Sequence, residues 1–579
     1  MQPGLFCAAL PVALCLWCLS SSLASASASF AVPWSSKTYG PDGPWHAVKV
    51  QVGGNDPKIR YHLQSDEVDL FPGGTYSSYI LSPKACDPFP KGECGNGGVW
   101  LPKAKSSFPI QWLESFDSAA INQTSGGCPL NIQAMTINGQ TVWNSSLVTV
   151  SNVTITMPNG KTRGPLLGRL SLGGSKTIQE FSKSSTEVGT YDAHMFPGGL
   201  YDQGIIPSYS YALHIGSAAH KYGGSLVFGG YDKGRIIGPY TTFPDKSIAL
   251  FDIGIGVETG ASPFPFESKN GLLLSNTSTQ EALLVMPDPT VPYLHLPSNT
   301  CEEIAKHLPV AMDPGTGYYL WNTDDPLFER ITTSPSYLSF TFPPASGGTE
   351  KVVIKVPFAL LNLTLESPII TGSPRPYFPC SSFTPLSGDT YRLGRAFLQA
   401  GFLGRNWFTE VSWLGQAPGP GLRGQGLGEQ LQDIPDRATT IEYFDPNGQF
   451  AHSWSDHWKP LEKNEGKNET AVSKENKRPS TVPDNGLSNI TKIGIGVGCG
   501  IGAILIVAVL SFVFRRRRPG GEVMGGELKF QERFASERLA RVVEYPLELQ
   551  GHSNSIRQAD AVPPIFEMGS STPKIRQYS

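Results

Sequence analysis

Charge is scarce in this 579-residue chain. Asp, Glu, Lys and Arg make up 16% of it, with 46 basic residues against 49 acidic, a formal net charge of −3. That balance excludes a nucleic-acid protein held by bulk basicity. Metal and nucleophile signatures are missing too. The 10 His form no H-E-x-x-H and no Cys-paired zinc spacing. No G-x-S-x-G elbow occurs. The pairs Gly223-Gly224 and Gly229-Gly230 sit between strand-like runs, as hairpin or bulge glycines and not phosphate loops. Neither a metal nor a cofactor is implied.

Cysteine is sparse and its placement is informative. Of nine, Cys7, Cys15 and Cys18 fall in an apolar N-terminal run and Cys499 in a second apolar run. Cys86, Cys94, Cys128, Cys301 and Cys380 lie between. In an oxidising compartment these pair. Cys86–Cys94 is the expected local loop and Cys301–Cys380 the expected long one, which leaves Cys128 as the odd thiol. N-x-S/T sequons begin at Asn122, Asn144, Asn152, Asn276, Asn362, Asn468 and Asn489, all between the two apolar runs.

Those runs predict the topology. Residues 1–28 are apolar, then small, with Ala-Ser repeats at Ala24 to Ala28 that suit a signal peptidase, although no Lys or Arg precedes the apolar part. Ile493 to Phe514 is uncharged and long enough to cross ~30 Å of hydrocarbon. It ends at Arg515, Arg516, Arg517 and Arg518, which puts that end in the cytoplasm. A single-pass type I protein of the plasma membrane, with its ectodomain outside, is the expectation. The residues beyond Arg518 argue against a removed lipid-anchor tail. The tail, 515–579, reads as mostly disordered, with one amphipathic stretch near Leu528 to Val542.

Glycine (63) and proline (49) are abundant and aromatics make up 10%, which suits a turn-rich all-β body with a packed core. Val48 to Val52 alternates at period two, as does VTVSNVTITM. Cys301 to Leu308 is the best helical stretch, with Ser298 and Thr300 able to cap it. From Gly415 onward Gly, Pro, Gln, Lys, Glu and Asn dominate, and residues 419–492 read as an unfolded, glycosylated stalk. His452 and His457, in HSWSDHW, fall in that stalk as solvated residues.

Two runs decide the fold. One contains Gln203, Gly204, Ile206, then Gly224, Ser225, Leu226, Phe228, Gly229, Gly230 and Asp232; the other contains Leu393, Gly394, Phe397 and Leu398. In this order and spacing they resemble pepsin-like aspartic proteases, over about Val48 to Pro418. The resemblance implies an all-β bilobal fold, with an N-terminal lobe at 29–245 and a C-terminal lobe at 246–418, to which the apolar run adds a single transmembrane helix at 493–514. It also places the family's apolar-apolar-Gly element of the first lobe at Leu166, Leu167 and Gly168.

The family's chemistry needs two carboxylates, one per lobe, about 3 Å apart and sharing a proton. Each comes from an Asp-Thr/Ser-Gly turn. In the second lobe Asp288 falls at the catalytic position, in Asp288-Pro289-Thr290. In the first lobe the position falls on Pro72, followed by Gly73, Gly74 and Thr75, with no carboxylate. Asp66, Glu67 and Asp69 precede the turn, and only a shift of register would bring Asp69 near it. No Tyr-Gly flap is found. Gly73, Gly74, Thr75, Thr290 and Tyr293 are the cleft candidates. The pairing resembles degenerate, membrane-anchored pepsin-like surface proteins of filamentous fungi.

Three functions follow as expectations. The first is a pseudo-protease that binds a peptide, protein or wall polymer in its cleft. The alternative is a membrane-anchored aspartic endopeptidase with an atypical site using Asp288. The third is a wall-spanning structural protein whose stalk and glycans matter more than its cleft.

Overall fold

The computed structural model describes residues 27–53, 65–74, 76–102, 107–108, 121–122, 128–183, 189–244, 246–344, 347–385, 389–421, 430–444 and 449–462. Strands dominate, and the helices among the described residues are short, the longest being Ser298–Ala305 and Pro326–Thr333. The strand Trp45–Val52 shows why the alternation is strand-like. Val48, Val50 and Val52 are buried and point one way, while Lys49 and Gln51 face solvent. The expected helix at Cys301 begins earlier, at Ser298, directly after Pro297. Proline fixes φ at a helix entry and ends the preceding extended stretch.

The first lobe is built on a large sheet whose central strands are Asp66–Pro72, Gly168–Leu170, Ser78–Leu81 and Gln140–Val150. The second lobe holds a five-stranded sheet in the order Ile248–Leu250, Leu283–Pro287, Tyr391–Leu393, Leu294–Leu296 and Cys380–Ser382. A six-stranded sheet joins them. Its strands Ser225–Phe228 and Ser210–His214 come from the first lobe, and Gly401–Asn406 and Val411–Gln416 return from the second. The late run containing Leu393 and Gly394 thus leads into strands that pair with the earlier glycine-rich run. The fold is all-β and bilobal.

Both expected disulfides are present, Cys86–Cys94 with Cα atoms 5.3 Å apart and Cys301–Cys380 with 5.7 Å. Cys128 is buried and outside both. Of the sequons, Asn152 and Asn276 are exposed, and Asn144 and Asn362 are half-buried. Asn122 lies in the strand Ile121–Asn122, and Asn468 and Asn489 lie outside the described residues. Among the described residues no helix is long and apolar enough to cross a membrane. The expected signal up to residue 26, the expected span 493–514 and the tail 515–579 fall outside them.

The expected stalk starts too early. Leu431–Asp433 pairs antiparallel with Gly230–Asp232, and Ala261 bridges Leu461. Trp454 is 2% exposed and stacks on Trp458 at 5.3 Å between ring centroids. His452 and His457 are exposed, as expected, but the tryptophans beside them are packed. Polar, Gly/Pro-rich composition suggested disorder, but two tryptophans four residues apart supply enough apolar surface to pin the segment. Trp454→Ala is expected to cost about 3–5 kcal/mol of stability, the usual range for a buried Trp truncation. Denaturant unfolding checks it, and an unchanged midpoint would return the segment to stalk.

Candidate functional site

Each lobe holds the same local construction, and register identifies the equivalent positions. In the first lobe Asp66–Pro72 runs parallel to Gly168–Leu170, with Leu70, Phe71 and Pro72 opposite Gly168, Arg169 and Leu170. The Gly73 N–H then donates to the Leu170 carbonyl at 3.0 Å. In the second lobe Leu283–Pro287 runs parallel to Tyr391–Leu393, with Val285, Met286 and Pro287 opposite Tyr391, Arg392 and Leu393. The Asp288 N–H donates to the Leu393 carbonyl at 2.9 Å. Proline ends both strands, since it has no N–H with which to extend the ladder.

Two expectations change. The residue equivalent to Asp288 is Gly73, not Pro72, which is equivalent to Pro287. The first-lobe counterpart of Arg392-Leu393-Gly394 is Arg169-Leu170-Ser171, not Leu166-Leu167-Gly168. Gly168 is required for a different reason: a Cβ there would lie 1.9 Å from the Tyr79 carbonyl oxygen. Neither Pro72 nor Gly73 carries a carboxylate.

Asp288 is 5% exposed and fully engaged. Its Oδ1 accepts from the Thr290 N–H at 2.8 Å and the Thr290 hydroxyl at 2.6 Å. Its Oδ2 accepts from Arg392 Nη1 at 2.8 Å, and Arg392 Nη2 donates to Asp389 at 2.8 Å. Burial alone would raise the Asp288 pKa, but Arg392 and the Thr290 donors outweigh it and hold the carboxyl below its ordinary value. The two turns touch: a Cβ on Gly73 would meet Thr290 Cγ2 at 2.9 Å and Pro289 Cγ at 3.1 Å. One ionised, ion-paired carboxylate facing a glycine has no partner with which to share a proton. Asp69 offers no substitute. Its Oδ2 accepts from Ser35 at 2.7 Å and from Tyr39, back along the strand.

A cavity of about 310 Å³ opens between the lobes. Phe71, Tyr79 and Arg169 line it from the first lobe and Thr290, Tyr293 and Arg395 from the second. Of the cleft candidates, Thr290 and Tyr293 reach it and Gly73 and Gly74 do not. Thr75 lies outside the described residues. The Tyr293 hydroxyl is already committed. It donates to Asp42 Oδ2 at 2.8 Å and lies 2.7 Å from the Tyr318 hydroxyl. Asp42 also accepts from Trp45 at 2.9 Å and from Arg163 at 3.1 Å. This buried network ties the N-terminal segment to the second lobe.

No Tyr-Gly flap was found in the sequence, yet a hairpin does border the cavity. Its strands are Thr154–Thr156 and Thr162–Arg163. Near its tip Asn159 Nδ2 donates to the Gly315 carbonyl at 2.7 Å, across to the second lobe. Arg169, Arg392, Arg395, Asp42 and Asp389 were not singled out from sequence. A signal existed for the arginines, because GRL and YRLGR interrupt apolar strand patterns with charge.

Comparison with known proteins fits this geometry. No family model matches the chain. It is 29% identical over 148 residues to Rhizopuspepsin of Rhizopus chinensis, covering 25% of this chain and 34% of that protein. It is 27% identical over 141 residues to the probable aspartic-type endopeptidase opsB of Aspergillus fumigatus, covering 24% and 28%. These matched stretches are similar to pepsin-like aspartic proteases. Rhizopuspepsin-2 of Rhizopus niveus matches at 26% over 181 residues, 31% of this chain and 40% of that one. The matched stretches thus span between 28% and 40% of these pepsin-like relatives. Among solved structures, the aspartic proteinase from Irpex lacteus is similar at 15% identity and a TM-score of 0.41, over 67% of this chain and 98% of that one.

Proposed function

We propose that this pepsin-like protein is a non-catalytic, membrane-anchored cell-surface glycoprotein that binds a peptide, protein or wall-polymer ligand in its interlobe cavity. One observation carries the reading: the register equivalent of Asp288 is Gly73, and Asp288 itself is locked to Arg392. The chemistry of the family requires two carboxylates sharing one proton, and this site has one that stays ionised. The cavity remains, at a size that suits a small ligand or the side chains of a larger one. The apolar run 493–514 and its four following arginines support the anchoring, and the exposed Asn152 and Asn276 support glycosylation.

The test is cleavage of a peptide library by the full chain, purified in detergent, between about pH 3 and 7, the range in which carboxylate pairs of this kind titrate. The expected result is no cleavage from folded protein. Cleavage that an aspartic-protease transition-state mimic blocks, and that Asp288→Asn abolishes, overturns the reading. Protection of the tail from protease added outside intact cells checks the topology.

A further inference from the structure

Guanidinium groups crowd the cavity wall. Among the described residues Arg163, Arg169 and Arg395 line it together with one carboxylate, Asp42. Asp42 is already taken by Arg163, at 3.1 Å. His295, also in the lining, adds no negative charge and is neutral at pH 7, because burial and nearby Arg392 push its pKa down to about 4. Asp288 and Asp389 stand behind this wall, both held by Arg392, although the Asp288 charge is also felt at Arg169.

Arg395 is the decisive residue. It is 6% exposed, and among the described residues no carboxylate lies within ion-pair distance of it. Among the described residues its Nη1 donates to the Pro289 and Thr290 carbonyls, at 3.0 and 3.2 Å, and its buried Nε has no acceptor. Phe71 and Trp45 stack against it at 4.4 and 5.1 Å. A guanidinium cannot shed its proton at physiological pH, so a buried one without a counter-charge is costly unless something supplies the charge. Burial with Arg169 and Arg163 close by pulls its pKa down to about 10, although Asp42 pushes the other way. The rest of the wall is largely apolar, including Leu81, Val150, Val153, Ile155, Met157 and Phe383.

We infer that the ligand of this cavity is an amphipathic carboxylate, whose anionic head pairs with Arg395 and Arg169 while its apolar body packs on the aliphatic wall. This rests on the non-catalytic binding reading above and names its ligand chemistry. Two sources present that chemistry: the free C-terminus of an apolar peptide, and a medium-chain fatty acid. Planar, two-pronged recognition of a carboxylate is what guanidinium groups do well. The apolar surroundings strengthen the pair by lowering the local dielectric.

Calorimetric titration of the full chain in detergent tests it, with four probes. They are an N-acetylated tripeptide of leucine, valine and phenylalanine as the free acid, the same peptide as its C-terminal amide, octanoate and octanol. At least one acid is expected to bind, at least tenfold tighter than its neutral counterpart. Which acid binds identifies the source. Arg395→Gln is expected to remove that tenfold preference. If that variant unfolds, as circular dichroism would show, the half-buried Arg169→Gln takes its place, with the same loss expected. Equal affinity for acid and neutral forms, or no binding of any probe to folded protein, overturns the inference. A preference unchanged in the folded variant does so as well. Mass spectrometry of the same peptide samples separates the two readings, because cleavage would sink the non-catalytic one and leave the anion site standing.

Discussion

Gly73→Asp, which writes a carboxylate back at the position equivalent to Asp288, is expected to yield no protease and a less stable protein. Gly73 has φ +142°, a conformation that side chains rarely adopt. The new Cβ would also press on Thr290 Cγ2 at 2.9 Å and Pro289 Cγ at 3.1 Å, both in a turn fixed by proline. Strain at such a φ costs about 1–3 kcal/mol and overpacking about as much again. The chemistry fails independently of the strain. Arg392 keeps Asp288 ionised, so the two carboxylates could not settle into a one-proton pair, and a second buried anion would only add repulsion. Denaturant unfolding and acid cleavage assays check both parts. A variant that unfolds at the native midpoint and cuts peptides between about pH 3 and 5 would show that the site is one substitution from activity, against the whole argument from Arg392.

What could be read from the sequence follows a physical line. The all-β fold was legible because its signals are local: alternation at Val48 to Val52, glycine turns around Gly223 and Gly229, and the Leu393-Gly394 run. Asp288 was legible for the same reason. The identity of its first-lobe counterpart was not. Pro72 and Gly73 differ by one step, and only the pairing of Asp66–Pro72 with a strand about a hundred residues away decides between them. The apolar-apolar-Gly rule then selected Leu166-Leu167-Gly168 by composition, whereas the equivalent strand, Gly168–Leu170, carries Arg169 and is followed by Ser171. The arginines were visible as charges inside strands, but their partners were not. Arg392 and Asp288 lie 104 residues apart, and no short-range pattern links them. Between 430 and 462 the polar composition outweighed two tryptophans that in fact anchor the segment.

The Arg392–Asp288 pair is buried on both sides, and its removal is the other large effect expected. Arg392→Met strands a buried anion, which costs about 3–5 kcal/mol at neutral pH when one partner of a buried pair is lost. The pH dependence carries the sharper signature. In the native protein the folded-state pKa of Asp288 lies below its ordinary value of 3.8. Its contribution is therefore fully present above that value and is lost only as pH falls through the folded one. In Arg392→Met burial acts with its largest opponent gone, so the folded pKa rises above the ordinary value. The sign then reverses. Protonation relieves the variant, and its deficit relative to native narrows as pH falls from 7 towards 4. Adding Asp288→Asn to Arg392→Met removes the stranded charge and is expected to recover most of the deficit at pH 7, with little pH dependence left from this site. Urea unfolding of native, single and double variants at pH 7, 5.5 and 4 measures all of it. A deficit that stays constant with pH, or a double variant no better than Arg392→Met, would mean that packing around Met286 and Leu393, and not the ion pair, is what Arg392 supports.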